Sequence, residues 1–329
     1  MYTGYAWWVD VANGQHQLYQ DTYKPPSLKS GQVLVHNHYA GINYKDALSV
    51  TGQAPISRLP KIIPGQDLSG VVAESASDFH RIGDKVLSMG HGLGEHLNGS
   101  LAEYTVVDAT QAFKIPENWT LQMAASFGTA GFTAALALEK MRWNTAKTSD
   151  LPVLVTGASG GVGLHALLLL NKQQRLVDIM SRRVGTDIFK LFNIHTQHGP
   201  IETSKKPLHQ PQWSAIIDSV GGDQLSELLK HITPWGQAVS IGITQSPLLS
   251  AQLYPFIVRG IDLLGMNASG CPLALKKKVL DDSFNSIQPD DYNIPIQLIT
   301  FDDLPQAAKT LIEGTAPAGR FVVKFSDKI

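Results

Sequence analysis

The residues of this chain best suited to chemistry lie at Leu154-Val155-Thr156-Gly157-Ala158-Ser159-Gly160-Gly161-Val162-Gly163, where an apolar strand runs into a glycine-rich turn and then into the helical run Leu164 to Gln174. Small residues at 158, 160 and 163 fill the three positions of a dinucleotide fingerprint: one for the tight turn, one for close approach of the backbone to a pyrophosphate, one for close packing of helix on strand. Unpaired N–H groups at the start of that helix then face an anion. Ala158, Ser159, Gly160, Gly161, Val162 and Gly163 are therefore expected to hold a cofactor. A purely structural glycine turn is the alternative.

About twenty residues past such glycines, an NAD site usually places an acidic side chain on the ribose diol. This chain has Ser181, Arg182 and Arg183 at the end of the next strand. Guanidinium groups bind a 2′-phosphate through paired hydrogen bonds, where a carboxylate would repel it, so the cofactor expected is NADPH. Asp178 falls inside the strand rather than at its end and is not assigned to ribose. Two solvated arginines on a loop are the competing reading of residues 182 and 183. A further ligand-type cluster, His91-Gly92-Leu93-Gly94-Glu95-His96, sits in a glycine-rich stretch with no helical frame to aim its rings, and reads as a loop rather than a zinc site.

The elements that must position these residues alternate. Apolar runs recur at 176–180, 214–218, 237–241 and 261–265, and between them Leu225, Leu228 and Leu229, then Leu275, Val279 and Leu280, share helix faces. The fold class is therefore α/β, with a parallel sheet wound on both sides whose ligands lie beyond the carboxyl ends of its strands. From Gln32 to about Phe113 short β-like runs are punctuated by Gly, Pro, Asn and Asp, which predicts a compact β-rich domain. The tail, with strands at 296–300 and 320–325 and a helix opened by Asp302-Asp303-Leu304-Pro305, is expected to return to that domain.

Composition narrows the partners. With 27 Lys+Arg against 28 Asp+Glu there is no field to attract nucleic acid or an anionic membrane. No run reads as a membrane span and the first residues do not read as a signal peptide, so a cytoplasmic protein is expected. The single cysteine, Cys271, excludes an internal disulfide and any multi-cysteine zinc site.

Four ordered motifs, Gly41-Ile42-Asn43-Tyr44-Lys45-Asp46-Ala47-Leu48, Pro64-Gly65-Gln66-Asp67-Leu68-Ser69-Gly70, Gly128-Thr129-Ala130-Gly131-Phe132-Thr133-Ala134 and the glycine corner, resemble the medium-chain dehydrogenase/reductase superfamily. Within it they are most similar to the zinc-free quinone oxidoreductase and acrylyl-CoA reductase branch. The resemblance implies a GroES-like catalytic domain at 1–120 and 290–329, a Rossmann domain at 121–289, an active site in the cleft between them, and a homodimer. Where zinc-dependent members carry a cysteine and a histidine, this chain has Asn43 and Gln66, neither a zinc anchor. No metal is therefore expected, and hydride transfer is directed to an enoyl thioester, an enone or a quinone. The competing readings are a zinc-type alcohol dehydrogenase and a non-catalytic NADPH-binding redox sensor.

The same resemblance suggests roles for single residues. Tyr44 would donate a hydrogen bond or proton and Asn43 would orient substrate or ribose, a buried structural tyrosine being the alternative. Gly128 and Thr129 would border the phosphates or nicotinamide. Gly242, Ile243 and Asn267, after the fifth and sixth strands, would bring backbone toward the nicotinamide amide. Arg320 would meet a substrate phosphate or, failing that, cap the last strand. Residues 192–198 and 53–55 depart from the branch's pattern on the adenine side and near the substrate mouth respectively.

Overall fold

A computed structural model describes residues 2–142, 150–183 and 186–325. The chain forms two compact units, Met1–Ala130 with Ala268–Ile329, and Gly131–Asn267. These limits differ from the sequence expectation at both crossings. The first falls inside a helix that no loop signal interrupts, and the second assigns a further helix, Leu273–Ser286, to the first unit.

The first unit opens with strands β1 (Gly4–Asp10) and β2 (Gln17–Tyr23), an antiparallel hairpin joined on its other edge by β4 (Lys61–Ile62). Its larger sheet has the order β15-β16-β3-β5-β6-β8, with β3 at Gln32–Gly41, β5 at Asp67–Ser75, β6 at Lys85–Met89, β8 at Phe113–Lys114, β15 at Ile296–Ile299 and β16 at Arg320–Lys324. A seventh strand, β7 (Tyr104–Asp108), pairs with the first half of β3. The tail does return, since Val322 to Lys324 pair antiparallel with Tyr39 to Gly41. Alternating side chains of these strands bury Val33, Val35, Leu68, Val72, Val86 and Val107 in one core. Each such burial contributes about 1.5 to 3 kcal/mol. Helices α1 (Tyr44–Thr51) and α7 (Leu304–Glu313) pack together, with Ala47, Val50, Leu304 and Ala308 in a second core.

Helix α2 (Leu121–Met141) is broken at Gly128, whose φ of 34° and ψ of −145° are not helical. By length and composition α2 could cross a membrane, contrary to the expectation that no run could, but 83% of the apolar stretch is buried inside the protein, the mark of a core helix.

The second unit is a six-stranded sheet, entirely parallel, in the order β11-β10-β9-β12-β13-β14. Its strands are β9 (Val153–Thr156), β10 (Val177–Met180), β11 (Thr196–His198), β12 (Trp213–Asp218), β13 (Ile232–Ser240) and β14 (Asp262–Gly265). Counted within the unit this is 3-2-1-4-5-6, the doubly wound order of dinucleotide-binding domains, with its switch point between β9 and β12. Strands buried on both faces read as unbroken apolar runs, as β9 does. Helices α3 (Gly161–Lys172) and α4 (Gly222–Leu228) cross between strands, and α5 (Tyr254–Arg259) precedes β14. The helix after β14, α6 (Leu273–Ser286), belongs to the first unit.

Candidate functional site

In the first unit the motif residues converge on one buried carboxylate that sequence reasoning passed over, Asp67. Its Oδ2 accepts from Asn43 Nδ2 at 2.8 Å and from the Thr129 amide at 2.9 Å, and its Oδ1 accepts from the Thr129 hydroxyl at 2.5 Å. Arg320 Nη2 lies 3.3 Å from the same Oδ2. A side chain at Gly128 would collide with this carboxylate, and the positive φ at the break in α2 also favours glycine there. Burial raises the Asp67 carboxyl above its ordinary range, and Arg320 and the hydrogen bonds from Thr129 and Asn43 oppose the rise.

Arg320 does not have the role expected of it. It is only 5% exposed. Its guanidinium donates to Ser126 O (3.1 Å), Ile42 O (2.9 Å) and Asn43 Oδ1 (3.0 Å) as well as to Asp67, which occupies four of its five N–H groups. A guanidinium held this way ties β16 to the chain entering α1 instead of waiting for a phosphate. Asn43 is fixed at both ends of its amide by Asp67 and Arg320, and its backbone N–H donates to Asp46 Oδ2 at 2.8 Å across the first turn of α1. Asp46 is 2% exposed, and burial first, then the neighbouring Asp67 charge, pushes its carboxyl up to about 7. Tyr44, next along, is 41% exposed, so it is not the buried structural tyrosine of the alternative reading. The Thr129 donors expected to face a cofactor both point at Asp67.

Gln66, at the second position occupied by a zinc ligand in zinc-dependent members, is buried and donates to Glu95 Oε1 at 3.3 Å. The same oxygen pairs with Lys45. His96 lies over Gly92, and burial, with the Lys276 charge second, holds His91 below the usual histidine range. Among the described residues, His91, Glu95 and His96 do not form a convergent ligand group.

In the second unit, β9 leads through Gly157 into α3. The left-handed turn is made by Gly157, with φ of 59°, and not by Ala158, which is fully buried. Gly163 has the packing role expected of it: a Cβ there would stand 2.6 Å from Ala158 Cα and from Gly157 O. A Cβ at Gly160 would meet only Gly157 O, at 3.3 Å, and no side chain caps the amino end of α3. Beside this corner, at the carboxyl end of β12, the buried Ser219 hydroxyl has no hydrogen-bond partner among the described residues. Asp218 is bonded to Thr156 Oγ1 (2.6 Å) and the Gly221 amide (2.8 Å), which locks the ends of β9 and β12 together. Gly242 follows β13, where a side chain would press on Ser219 O at 2.5 Å, and Ile243 beside it is exposed. Asn267 ends the unit and is exposed.

At the end of β10, Ser181 is buried and its hydroxyl accepts from the Arg183 amide at 3.1 Å, while Arg182 is exposed and Arg183 half-buried. Asp178, one turn of the pleat earlier, is fully engaged by His195 (2.8 Å), His198 (2.9 Å) and Trp213 Nε1 (2.9 Å), and these bonds hold its carboxyl below the ordinary range against the effect of burial. It has no free oxygen directed to a ribose.

A β-rich unit of this topology and a doubly wound unit with a glycine corner at its switch point define a two-domain α/β protein of the dinucleotide-binding kind. The alcohol dehydrogenase GroES-like domain family matches residues 29–117. The chain is 33% identical over 308 residues to YhfP of Bacillus subtilis, named as a candidate quinone oxidoreductase, covering 92% of this chain and 93% of that protein. The YhfP structure with NAD bound superimposes with a TM-score of 0.89 at 31% identity, over 98% of this chain and 100% of that one. The acrylyl-CoA reductase AcuI of Ruegeria pomeroyi is 29% identical over 95% of this chain and 96% of its own. The yhdH oxidoreductase of Salmonella enterica in complex with NADP gives a TM-score of 0.90 at 30% identity, over 98% of this chain and 100% of that one. The chain belongs to the medium-chain dehydrogenase/reductase superfamily.

Proposed function

We propose that this protein is an NADPH-dependent oxidoreductase that reduces an activated double bond or a quinone without zinc, its acceptor being an enoyl thioester of the acrylyl-CoA kind, an enone or a quinone. The observation that carries the reading is the pair Asn43 and Gln66. Both are amides already engaged with carboxylates, Asp67 and Glu95, and neither offers a thiolate or imidazole to zinc. The names of AcuI and YhfP, and the NADP described with the Salmonella protein, support the same direction.

A dinucleotide fits the residues present. The uncapped start of α3, with Gly160 open beside it, suits a pyrophosphate, and the orphaned Ser219 hydroxyl offers a partner to a ligand at the same corner. YhfP is described with NAD bound, so preference for the phosphorylated cofactor rests on this chain's Ser181, Arg182 and Arg183. When bound, NADPH supplies a hydride. Tyr44 contributes a phenolic donor for the oxygen on which negative charge develops. Asn43, immobilised by Asp67 and Arg320, keeps one amide hydrogen for orienting a ligand, and its rigidity lowers the entropy cost of doing so. The test is loss of NADPH absorbance against a panel of quinones, enones and acrylyl-CoA, with and without chelator. Turnover that survives chelation is expected. No turnover with any acceptor, or turnover abolished by chelator and restored by zinc, refutes the proposal.

A further inference from the structure

Two strands of the parallel sheet, β11 and β12, are joined by residues 199–212, which contain no helix, although parallel crossovers usually carry one. Side chains of the next crossover hold this segment down. Glu227 Oε2 accepts from the Ser204 amide (2.9 Å) and from Lys230 Nζ (2.7 Å), Lys230 Nζ also donates to Ser204 O (2.6 Å), and the His209 amide donates to Lys230 O (3.0 Å). Arg259 donates to the carbonyls of Lys230, Ile232 and His209.

Glu227 is 2% exposed, and its second oxygen, Oε1, faces His209 Nε2 at 3.0 Å as an ion pair without the alignment of a hydrogen bond. His231 Nε2 stands 3.9 Å from the same oxygen. Among the described residues, His209, Glu227 and His231 form the group whose ligand atoms all lie within 4.8 Å of one another. Metal–ligand lengths of about 2.0 to 2.2 Å put tetrahedral ligand atoms roughly 3.4 Å apart, between the two separations found. Glu227 and His231 are spaced i,i+4 through α4 and the turn after it, and so present ligand atoms from one face.

We propose that His209, Glu227 and His231 bind one divalent transition-metal ion of the zinc class, with water as fourth ligand, and that this ion clamps residues 199–212 in place of the missing crossover helix. Lys230 and the Ser204 amide act on the other carboxylate oxygen, an outer shell that orients Oε1 toward the ion. Lys230 and Arg259 set the cost, because they are cations close to the site; Glu227 neutralises one of them, and Arg259 is occupied by carbonyls. The His209 and His231 rings stack with centroids 4.4 Å apart and planes 3° from parallel, so convergence on one ion requires the His209 ring, on the more exposed loop side, to turn. His209 precedes β12 and His231 precedes β13, so the cluster lies at the amino-terminal edge of the parallel sheet, opposite the edge at which β9 leads into the glycine corner. The ion is therefore structural, and its loss leaves the turnover proposed above unchanged.

The experiment uses full-length, tag-free protein stripped with chelator and then given zinc chloride alone. Expected are one retained zinc per chain after dialysis and a rise in melting temperature of roughly 5 °C or more at saturating zinc. In His209→Phe, which keeps the ring stack, and in His209→Gln, which removes it, both effects should vanish while the zinc-free melting temperature stays near that of wild type. Cobalt should give visible d–d absorption in wild type and not in either variant. Wild-type protein that neither retains zinc nor melts higher with it, or either variant behaving like wild type, overturns the proposal.

Discussion

Replacing Asp46 with asparagine isolates the electrostatic cost of building the Asn43 turn. Asp46 is almost fully buried, accepts from the Asn43 amide at 2.8 Å, and has its carboxyl raised from 3.8 to about 7 by burial and, secondarily, by Asp67. Between about pH 4 and pH 7 the folded chain therefore keeps a proton that the unfolded chain has released. Stability must fall as pH rises through that window, and the full difference corresponds to roughly 4 kcal/mol above it. Asparagine keeps an oxygen to accept from the Asn43 amide and carries no charge. It forfeits the attraction of a carboxylate to the start of α1, worth about 0.3 to 1 kcal/mol. Urea unfolding of both proteins, at about pH 5 and about pH 8, should show an advantage to Asp46→Asn of roughly 1 to 2 kcal/mol at the acid value that grows to roughly 3 to 4 kcal/mol at the alkaline one. Comparing variant with wild type at each pH removes contributions from other titrating groups. A difference between the two that does not change with pH, or one that favours wild type at the alkaline value, would refute the reasoning.

Three further outcomes are expected. Changing Arg182 and Arg183 together to alanine should weaken NADPH selectively and narrow its advantage over NADH, each charged hydrogen bond lost being worth roughly 1.5 to 3 kcal/mol; equal affinities for the two cofactors in the unaltered protein would remove the basis for the assignment. Gly163→Ala forces a methyl group to within 2.6 Å of backbone at 157 and 158, so α3 must lift from its turn; destabilisation of about 1 to 3 kcal/mol in thermal melts and loss of NADPH binding by calorimetry should accompany each other, and an unchanged protein would show that the corner is loose. Tyr44→Phe should slow hydride transfer on the order of a hundredfold with NADPH affinity little altered, read by single-turnover kinetics, and a normal rate would leave Tyr44 no chemical task.

Local physics made much of this protein legible in its sequence. The strand–turn–helix at 153–172 follows from a buried apolar run, a glycine able to take positive φ and a run of leucines, all within some twenty residues. The alternation that follows dictated a parallel sheet, and the strand at 320–324 was legible from its aromatic and β-branched run, Phe321-Val322-Val323. Even so, the left-handed turn fell to Gly157, one residue before the position the fingerprint suggested, because closely spaced glycines satisfy the same local requirement. The hairpin of β1 and β2 and the helix α5 carried no local signal strong enough to be read.

Tertiary structure decided what the polar residues do. Arg320 meets Asp67 across 253 positions of chain and Thr129 meets it across 62, so no spacing rule could have shown that Gly128, Thr129 and Arg320 serve one buried carboxylate. A carboxylate taken out of water must be paired where it lies, and that requirement drew donors from three distant segments. Asp178 likewise looked like a stray acid in a strand until His195, His198 and Trp213 closed around it. Sequence fixes which groups a chain carries, but which of them share a low-dielectric interior, and so must satisfy one another, follows only from the packing of the fold.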